Sequence, residues 1–193
     1  MSTRKAPEIL LGVTGSIAAY KAAELVRLMM KAGWGVSVVM TRGATRFVGA
    51  LTFQTLSRRP VVVDMFEEPE DWVPGHISAA DRADVMVVAP CTANVIAKLA
   101  HGLADDMLTA TALACPAPLV VAPAMNVHMW EHAATRANVA LLRERGATLV
   151  DVGEGELACG YEGQGRLAEP AQILAAVETV LRGAPRTKTV TSR

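Results

Sequence analysis

The stretch EILLGVTGSIAAYK (8–21) decides the fold class of this sequence. Its first part, EILLGV (8–13), is a short and mostly apolar run, and turn residues follow it directly. The stretch that follows (16–33) carries apolar side chains at helical spacing, and Gly33 stands where a C-terminal cap belongs. This order predicts a strand, a tight turn and a helix.

The same unit recurs along the chain. Apolar runs at 36–40, 85–90, 118–123 and 147–152 are predicted strands, and the stretches 93–101, 105–114 and 134–145 carry helix formers. Strands that are apolar at nearly every residue are buried on both faces and are therefore mostly parallel. The alternation predicts an α/β fold, with a doubly wound parallel sheet between two helical layers.

Composition suits one domain and gives no sign of a highly charged partner. The 193 residues are 51% hydrophobic, and 19 basic residues balance 19 acidic ones, so no overall field favours nucleic acid or an anionic membrane. We expect a single domain over 8–182, with disordered tails at 1–7 and 183–193. No apolar stretch approaches the roughly 20 residues of a membrane span, and no secretory signal is evident, so we expect a cytoplasmic protein.

Cysteine and histidine spacing does not predict a metal site. Cys91, Cys115 and Cys159 are odd in number and show no CxxC spacing, which argues against a disulfide framework and against structural zinc. His128 and His132 are four residues apart, but no third ligand is evident. We therefore expect no bound metal.

In a doubly wound sheet the ligand lies beyond the carboxyl ends of the strands. At the first exit Gly15 permits a sharp turn, Ser16 can cap the helix, and the helix N-terminus can receive a phosphate. The motif is neither GxGxxG nor a P-loop, so glycines that only form a tight turn remain an alternative.

Three further exits carry polar side chains. Thr41, Thr92 and Asn94 can cap the element that follows or contact a ligand. Asn126, in PAMNVHMW (123–130), can cap a helix or donate a hydrogen bond to a carboxylate. Both interpretations stay open for each residue.

Two other segments carry reactive side chains. LACGYEGQGRLAEP (157–170) is rich in glycine, which predicts a loop too flexible for a core and suited to act as a lid, with Cys159 in it. His76, at the start of a predicted short helix before the third strand, is an inert surface residue or a general base.

Together these residues resemble the homo-oligomeric flavin-containing cysteine decarboxylases, in particular the phosphopantothenoylcysteine decarboxylases of coenzyme A biosynthesis. The resemblance covers roughly residues 8–182 and keeps the family's order of motifs. Its carriers are GVTGSIAAYK, the stretch Thr41 to Phe47, the histidine of GHI, APCTAN (89–94), PAMNVHMW and ACGYEGQGRLAEP (158–170).

The resemblance implies a flavodoxin-like (Rossmann-type) fold of three layers, α/β/α, that binds FMN at the sheet edge. It implies His76 and Cys159 as catalytic residues, with Cys159 as the proton donor. The implied substrate-binding residues are Asn126, Met125, Ala158, Gly160 and Arg166. The implied cofactor-binding residues are Gly15, Ser16, Ile17, Thr41, Phe47, Pro90, Thr92, Ala93, Asn94, Ala124 and Met125.

The implied reaction is the decarboxylation of 4'-phospho-N-pantothenoylcysteine to 4'-phosphopantetheine. The substrate has no group that could accept the electrons left when its carboxylate departs, so direct loss of carbon dioxide would leave an unstabilised carbanion. Hydride transfer from the β-carbon to the flavin gives a thioaldehyde that accepts those electrons, and decarboxylation then gives an enethiolate that the reduced flavin returns to the thiol.

The resemblance also implies an oligomeric assembly and a partner enzyme. The family implies homotrimers, and in bacteria often a dodecamer of four trimers, with a phosphopantothenoylcysteine synthetase that is fused or separate. Tyr161 stands where the family commonly has an acidic residue. The alternatives are a non-catalytic flavoprotein that binds another protein, and a decarboxylase of another cysteine-containing substrate, such as a peptidyl-cysteine.

Overall fold

Six parallel strands form the central sheet of the computed structural model, which describes residues 6–65, 80–156 and 162–183. Their order across the sheet is β3-β2-β1-β4-β5-β6. Their bounds are β1 (Glu8–Val13), β2 (Gly35–Met40), β3 (Val61–Val62), β4 (Val85–Cys91), β5 (Leu119–Pro123) and β6 (Thr148–Leu149). Two short strands, β7 (Gly153–Glu156) and β8 (Glu162–Arg166), form a separate antiparallel pair.

Helices pack on both faces of this sheet. They are α1 (Ala19–Lys31), α2 (Ala50–Ser57), α3 (Ala93–His101), α4 (Met107–Ala114), α5 (Val127–Glu131), α6 (Ala133–Glu144) and α7 (Pro170–Gly183), with a 3-10 turn at Ala44–Arg46. One apolar core joins α1, α2 and α7 to the sheet, and the other joins α3, α4 and α6 to its opposite face. The predicted three-layer, flavodoxin-like α/β fold is therefore confirmed. Among the described residues no helix is both long and apolar enough to cross a membrane.

Burial explains why the strands could be recognised from the sequence. Every residue of β4 is buried, as a strand covered on both faces requires. The strands β1, β2, β4 and β5 lie within one residue of their predicted bounds, whereas β6 retains only Thr148–Leu149 of the predicted run. The helix α2, the strand β3, the β7-β8 pair and α7 had no counterpart in the prediction, and the short α5 was anticipated only by the capping interpretation of Asn126.

The first helix starts later than the sequence predicts. Its N-cap is Ala18, which makes no side-chain cap, and Ser16 lies in the turn before it. The Ser16 hydroxyl oxygen accepts a hydrogen bond from the Ala18 amide over 3.2 Å. Ser16 thus stabilises the turn rather than capping the helix, while Gly33 follows the helix end as predicted, with φ of 82°.

The prediction that 157–170 is a loop excluded from the core is wrong for its second half. Residues 162–166 form β8, and the following Leu167 and Ala168 are buried in the core beside α1. The Met125 amide donates a hydrogen bond to the Gly165 carbonyl over 2.9 Å, which fastens β8 to the chain after β5. Gly163 and Gly165 therefore serve close packing against the chain after β5.

Substitution of Gly165 by alanine should loosen this contact. Gly165 has φ of 135°, and an added β-carbon would collide with the Met125 carbonyl oxygen. We expect G165A to lower the free energy of unfolding by about 2 kcal/mol or more, measured by urea denaturation, and to speed hydrogen exchange at the Met125 amide. The control G183A adds a β-carbon where nothing lies within 4 Å; equal stability of both variants would contradict this packing.

Candidate active site

Hydrogen bonds join neighbouring strand exits along the carboxyl edge of the sheet. The Thr41 amide after β2 donates to the Val13 carbonyl of β1 over 3.0 Å. The Ala124 amide after β5 donates to the Cys91 carbonyl of β4 over 3.0 Å. Together with the bond from Met125 to Gly165, these contacts hold the exits of β2, β1, β4 and β5, and the strand β8, in fixed relation.

Thr14 links the exits of β1 and β4 and was missed by the sequence analysis. Its fully buried hydroxyl donates to the Pro90 carbonyl over 2.7 Å and accepts from the Thr92 amide over 3.1 Å. A buried hydroxyl needs such partners because leaving it unsatisfied is costly. The signal was present in GVTGSI as a polar residue at the end of a buried strand.

A cavity of about 680 Å³ opens at this edge. This volume lies in the usual range for ligand cavities. It brings together four of the expected cofactor residues, which come from three strand exits: Gly15, Thr41, Thr92 and Asn94. Its remaining described lining is Arg42, Gly43, Val63, Asp64, Met65, Val95, Lys98, Asp105, Asp106, Met107 and Met129.

The turn after β1 lies tightly against the turn after β2. A β-carbon on Gly15 would lie 2.9 Å from the carbonyl carbon of Gly43, so only glycine fits between these backbones. The Thr41 hydroxyl oxygen accepts from the Ala44 amide over 3.2 Å and stabilises the turn, whereas the N-cap of the 3-10 turn is Gly43, so Thr41 does not cap it. Both residues nevertheless line the cavity, where a hydroxyl and backbone amides can meet a phosphate.

The exit of β4 combines a capping residue with residues that line the cavity. Thr92 is the N-cap of α3, and its hydroxyl oxygen accepts from the Val95 amide over 3.4 Å. Asn94 is exposed in the first turn of α3 and lines the cavity. Pro90 is buried beneath them and Ala93 is half-buried, so these two can contribute backbone and apolar contacts rather than polar side chains.

The PAMN segment follows β5 at the same edge. Ala124 is buried and Met125 is half-buried. Asn126 is the N-cap of α5, and its side-chain oxygen accepts from the His128 amide over 2.8 Å. The capping interpretation of Asn126 is thus correct, and the cap fixes the orientation of its side-chain amide.

Two ion-pair groups stand in the cavity wall, and the sequence analysis identified neither. Lys98 lies 2.7 Å from Asp105 and 3.2 Å from Asp106, and its side chain is only 16% exposed. The hydrogen bond to Asp105 raises the pKa of Lys98 and lowers that of Asp105. Arg42 pairs with Asp64 across the exits of β2 and β3.

Large apolar side chains stand exposed close to the first two exits. Ile17 is 58% exposed and Phe47 is 49% exposed, although both are apolar enough for a core. Exposed apolar groups can contact a ligand or a second subunit. Arg166, at the end of β8, is exposed and lies 3.9 Å from Glu169.

Several expected site residues lie outside the described ranges. These are His76, Ala158, Cys159 and Gly160. The strands β7 and β8 flank the segment that contains the last three in sequence, and β8 is the strand bonded to Met125. Met129, which also lines the cavity, was missed because a methionine among apolar neighbours gives no signal of its own.

The described residues fit a flavin nucleotide. The close contact of Gly15 with Gly43 forms a cradle that a β-carbon would fill, and hydroxyl and amide groups lie beside it in the cavity. Buried Ala124 and half-buried Met125 add apolar surface next to the exit of β4. The donor set suits a phosphate at one part of the edge and a flat, partly apolar ring at another.

Comparison with known proteins finds a matching family model and relatives of known sequence and structure. The family model described as Flavoprotein matches residues 1–182. The chain is 53% identical over 170 residues to the coenzyme A biosynthesis bifunctional protein CoaBC of Bacillus subtilis. The aligned region covers 88% of this chain and 42% of that protein. The chain therefore spans less than half the length of this curated relative.

Solved structures share the fold and part of the sequence. A cysteine-to-serine mutant of PPC decarboxylase, complexed with pantothenoylaminoethenethiol, aligns with a TM-score of 0.80 and 32% identity over 93% of this chain and 100% of that one. The FMN-dependent cysteine decarboxylase SpaF aligns with a TM-score of 0.75 and 31% identity over 89% of this chain and 97% of that one. From the family match, the sequence identities and the shared fold, the chain belongs to the flavoprotein family.

Proposed function

We propose that this chain binds FMN and decarboxylates 4'-phospho-N-pantothenoylcysteine to 4'-phosphopantetheine in coenzyme A biosynthesis. The observation that carries this proposal is the joint cavity of Gly15, Thr41, Thr92 and Asn94 at the carboxyl edge. The likeness to PPC decarboxylase and to CoaBC, over most of this chain, supports the same reaction. The folding unit is proposed to be residues 8–182.

The residues at the first three exits would hold the cofactor. Gly15, Ser16 and Thr41 would surround its phosphate, and Ile17 and Phe47 would cover the ring. Pro90, Thr92, Ala93, Asn94, Ala124 and Met125 would line the remaining sheet edge. When bound, the flavin supplies a two-electron oxidation followed by a reduction.

The chain's own residues orient the substrate and move its protons. Asn126, held by its cap, would donate to the substrate carboxylate and fix it for the loss of carbon dioxide. Met125, Ala158, Gly160 and Arg166 complete the proposed substrate contacts. His76 would take the thiol proton as general base, and Cys159 would return a proton to the product.

Burial argues against the other two thiols as proton donors. Cys91 is fully buried within β4, and burial raises the pKa of its thiol. Burial also raises the pKa of Cys115, whose thiol lies 3.7 Å from the Ala80 carbonyl. Neither residue is among the described residues that line the cavity, and the family resemblance assigns proton transfer to Cys159.

A decarboxylase of another cysteine-containing substrate, such as a peptidyl-cysteine, is the second candidate. The similarity to SpaF favours it, since that protein is an FMN-dependent cysteine decarboxylase. A non-catalytic flavoprotein that binds another protein is the third candidate, and the presence of His76 and Cys159 argues against it. We also propose a homotrimer, or a dodecamer of four trimers, and a synthetase as functional partner.

A conversion assay distinguishes these candidates. Purified protein loaded with FMN should convert 4'-phospho-N-pantothenoylcysteine to 4'-phosphopantetheine, as followed by mass spectrometry. A peptide with a C-terminal cysteine serves as the competing substrate. Preferential turnover of the peptide would support the second candidate, and turnover of neither would contradict both decarboxylase assignments.

Substitution of Cys159 by serine should separate decarboxylation from reduction. We expect C159S to release carbon dioxide but to accumulate the enethiol, which is lighter than the saturated thiol by two hydrogen atoms. The control C115S removes a half-buried thiol outside the cavity and should give the saturated product. Normal yield of 4'-phosphopantetheine from C159S would exclude the proton-donor role.

Substitution of Asn126 by aspartate should suppress decarboxylation. Aspartate is an equally good N-cap, so the bond from the His128 amide and the start of α5 are retained. The added negative charge opposes the substrate carboxylate, and we expect turnover to fall on the order of 100-fold. The control N138D makes the same change on α6, where Asn138 contacts His101. Wild-type turnover in N126D would contradict the carboxylate contact.

A further inference from the structure

Lys98 is a cation in the cavity wall to which the proposed reaction assigns no role. It follows Asn94 by four residues, so both side chains lie on the same face of α3, about one turn apart. Both also line the cavity. A ligand that rests against Asn94 therefore lies within reach of the Lys98 ammonium group.

The two carboxylates that pair with Lys98 are held very differently. Asp106 is the N-cap of α4, and one of its oxygens accepts from both the amide and the hydroxyl of Thr109 over 2.9 Å. Its other oxygen accepts from Lys98 over 3.2 Å. Asp105 has a side chain that is 66% exposed, and it approaches Lys98 within 2.7 Å. Asp106 is thus built into the fold, whereas Asp105 stands at the solvent side.

The charged side chains of the described lining sum to one negative charge, which disfavours the binding of an anion. They comprise the cations Arg42 and Lys98 and the carboxylates Asp64, Asp105 and Asp106, so one negative charge remains in excess. A phosphate monoester carries a charge of about −1.5 to −2 near neutral pH. A cation that is released by its carboxylate would favour the entry of such a group.

We propose that Lys98 contacts a phosphate monoester in this cavity and that Asp105 is its exchangeable counter-ion. The phosphate displaces Asp105 towards solvent, while Asp106 keeps the ammonium group in place. The inference rests on the proposed function for the identity of the phosphate, which belongs either to FMN or to the substrate. Lys98 would then determine specificity for phosphorylated over unphosphorylated ligands.

Two ligand pairs separate these sources. Flavin-free protein is titrated with FMN and with riboflavin, and FMN-loaded protein is titrated with 4'-phosphopantetheine and with pantetheine. The ratio of the two dissociation constants in each pair measures the preference for the phosphate. This ratio is insensitive to a general loss of stability, since both ligands of a pair bind the same folded protein.

We expect K98M to reduce this preference about tenfold in one of the two pairs, because a charge-assisted hydrogen bond is lost. K98R should retain most of it. D105N should increase the preference severalfold, because it frees Lys98 and removes one negative charge from the wall. The control D151N makes the same charge change at a side chain that is 96% exposed and paired with Arg143, outside the cavity lining.

The outcomes that overturn the inference are distinct from those that overturn the function. A K98M preference equal to that of wild type in both pairs would exclude the contact, and so would a wild-type protein without any preference for the phosphorylated ligands. A D105N preference equal to that of wild type would exclude the exchange. The conversion assay run on the same wild-type preparation tests the function separately, since an active wild type with an unchanged K98M overturns the inference alone.

Discussion

Parallel pairing of buried strands is the constraint on which this site depends. Pairing brings the carboxyl ends of β2, β1, β4 and β5 to one edge, and hydrogen bonds between neighbouring exits then fix their spacing. Thr14 is central to this arrangement, because its buried hydroxyl joins the carbonyl of Pro90 to the amide of Thr92. Side chains far apart in sequence, such as Thr41 and Asn94, thereby line one cavity.

Much of this architecture was predictable because it follows from local pattern. Strands buried on both faces, such as β4, leave runs of apolar residues that no surface strand would show. The turn and cap residues at the exits predicted the capping contacts of Thr92 and Asn126. They also predicted the edge of the sheet at which the cavity lies. Capping does not remove a side chain from the cavity, since Thr92 caps α3 and also lines the cavity.

The rest depends on contacts between segments distant in sequence. Nothing near Gly165 indicates that its carbonyl accepts from Met125, so a stretch rich in glycine suggested a free loop instead of a paired strand. The pairing of Lys98 with Asp105 requires the chain to turn between α3 and α4, and that of Arg42 with Asp64 requires β3, which is only two residues long. Neither arrangement leaves a periodic pattern to detect.

The central claim is that a flavin lies where these strands end. A crystal structure of the protein grown with FMN tests it most directly. The account predicts electron density for the tricyclic ring along the edge formed by Gly15, Thr92 and Ala124, with the phosphate beside Thr41. Density for FMN elsewhere, or an edge filled by the protein's own side chains in its presence, would contradict the account.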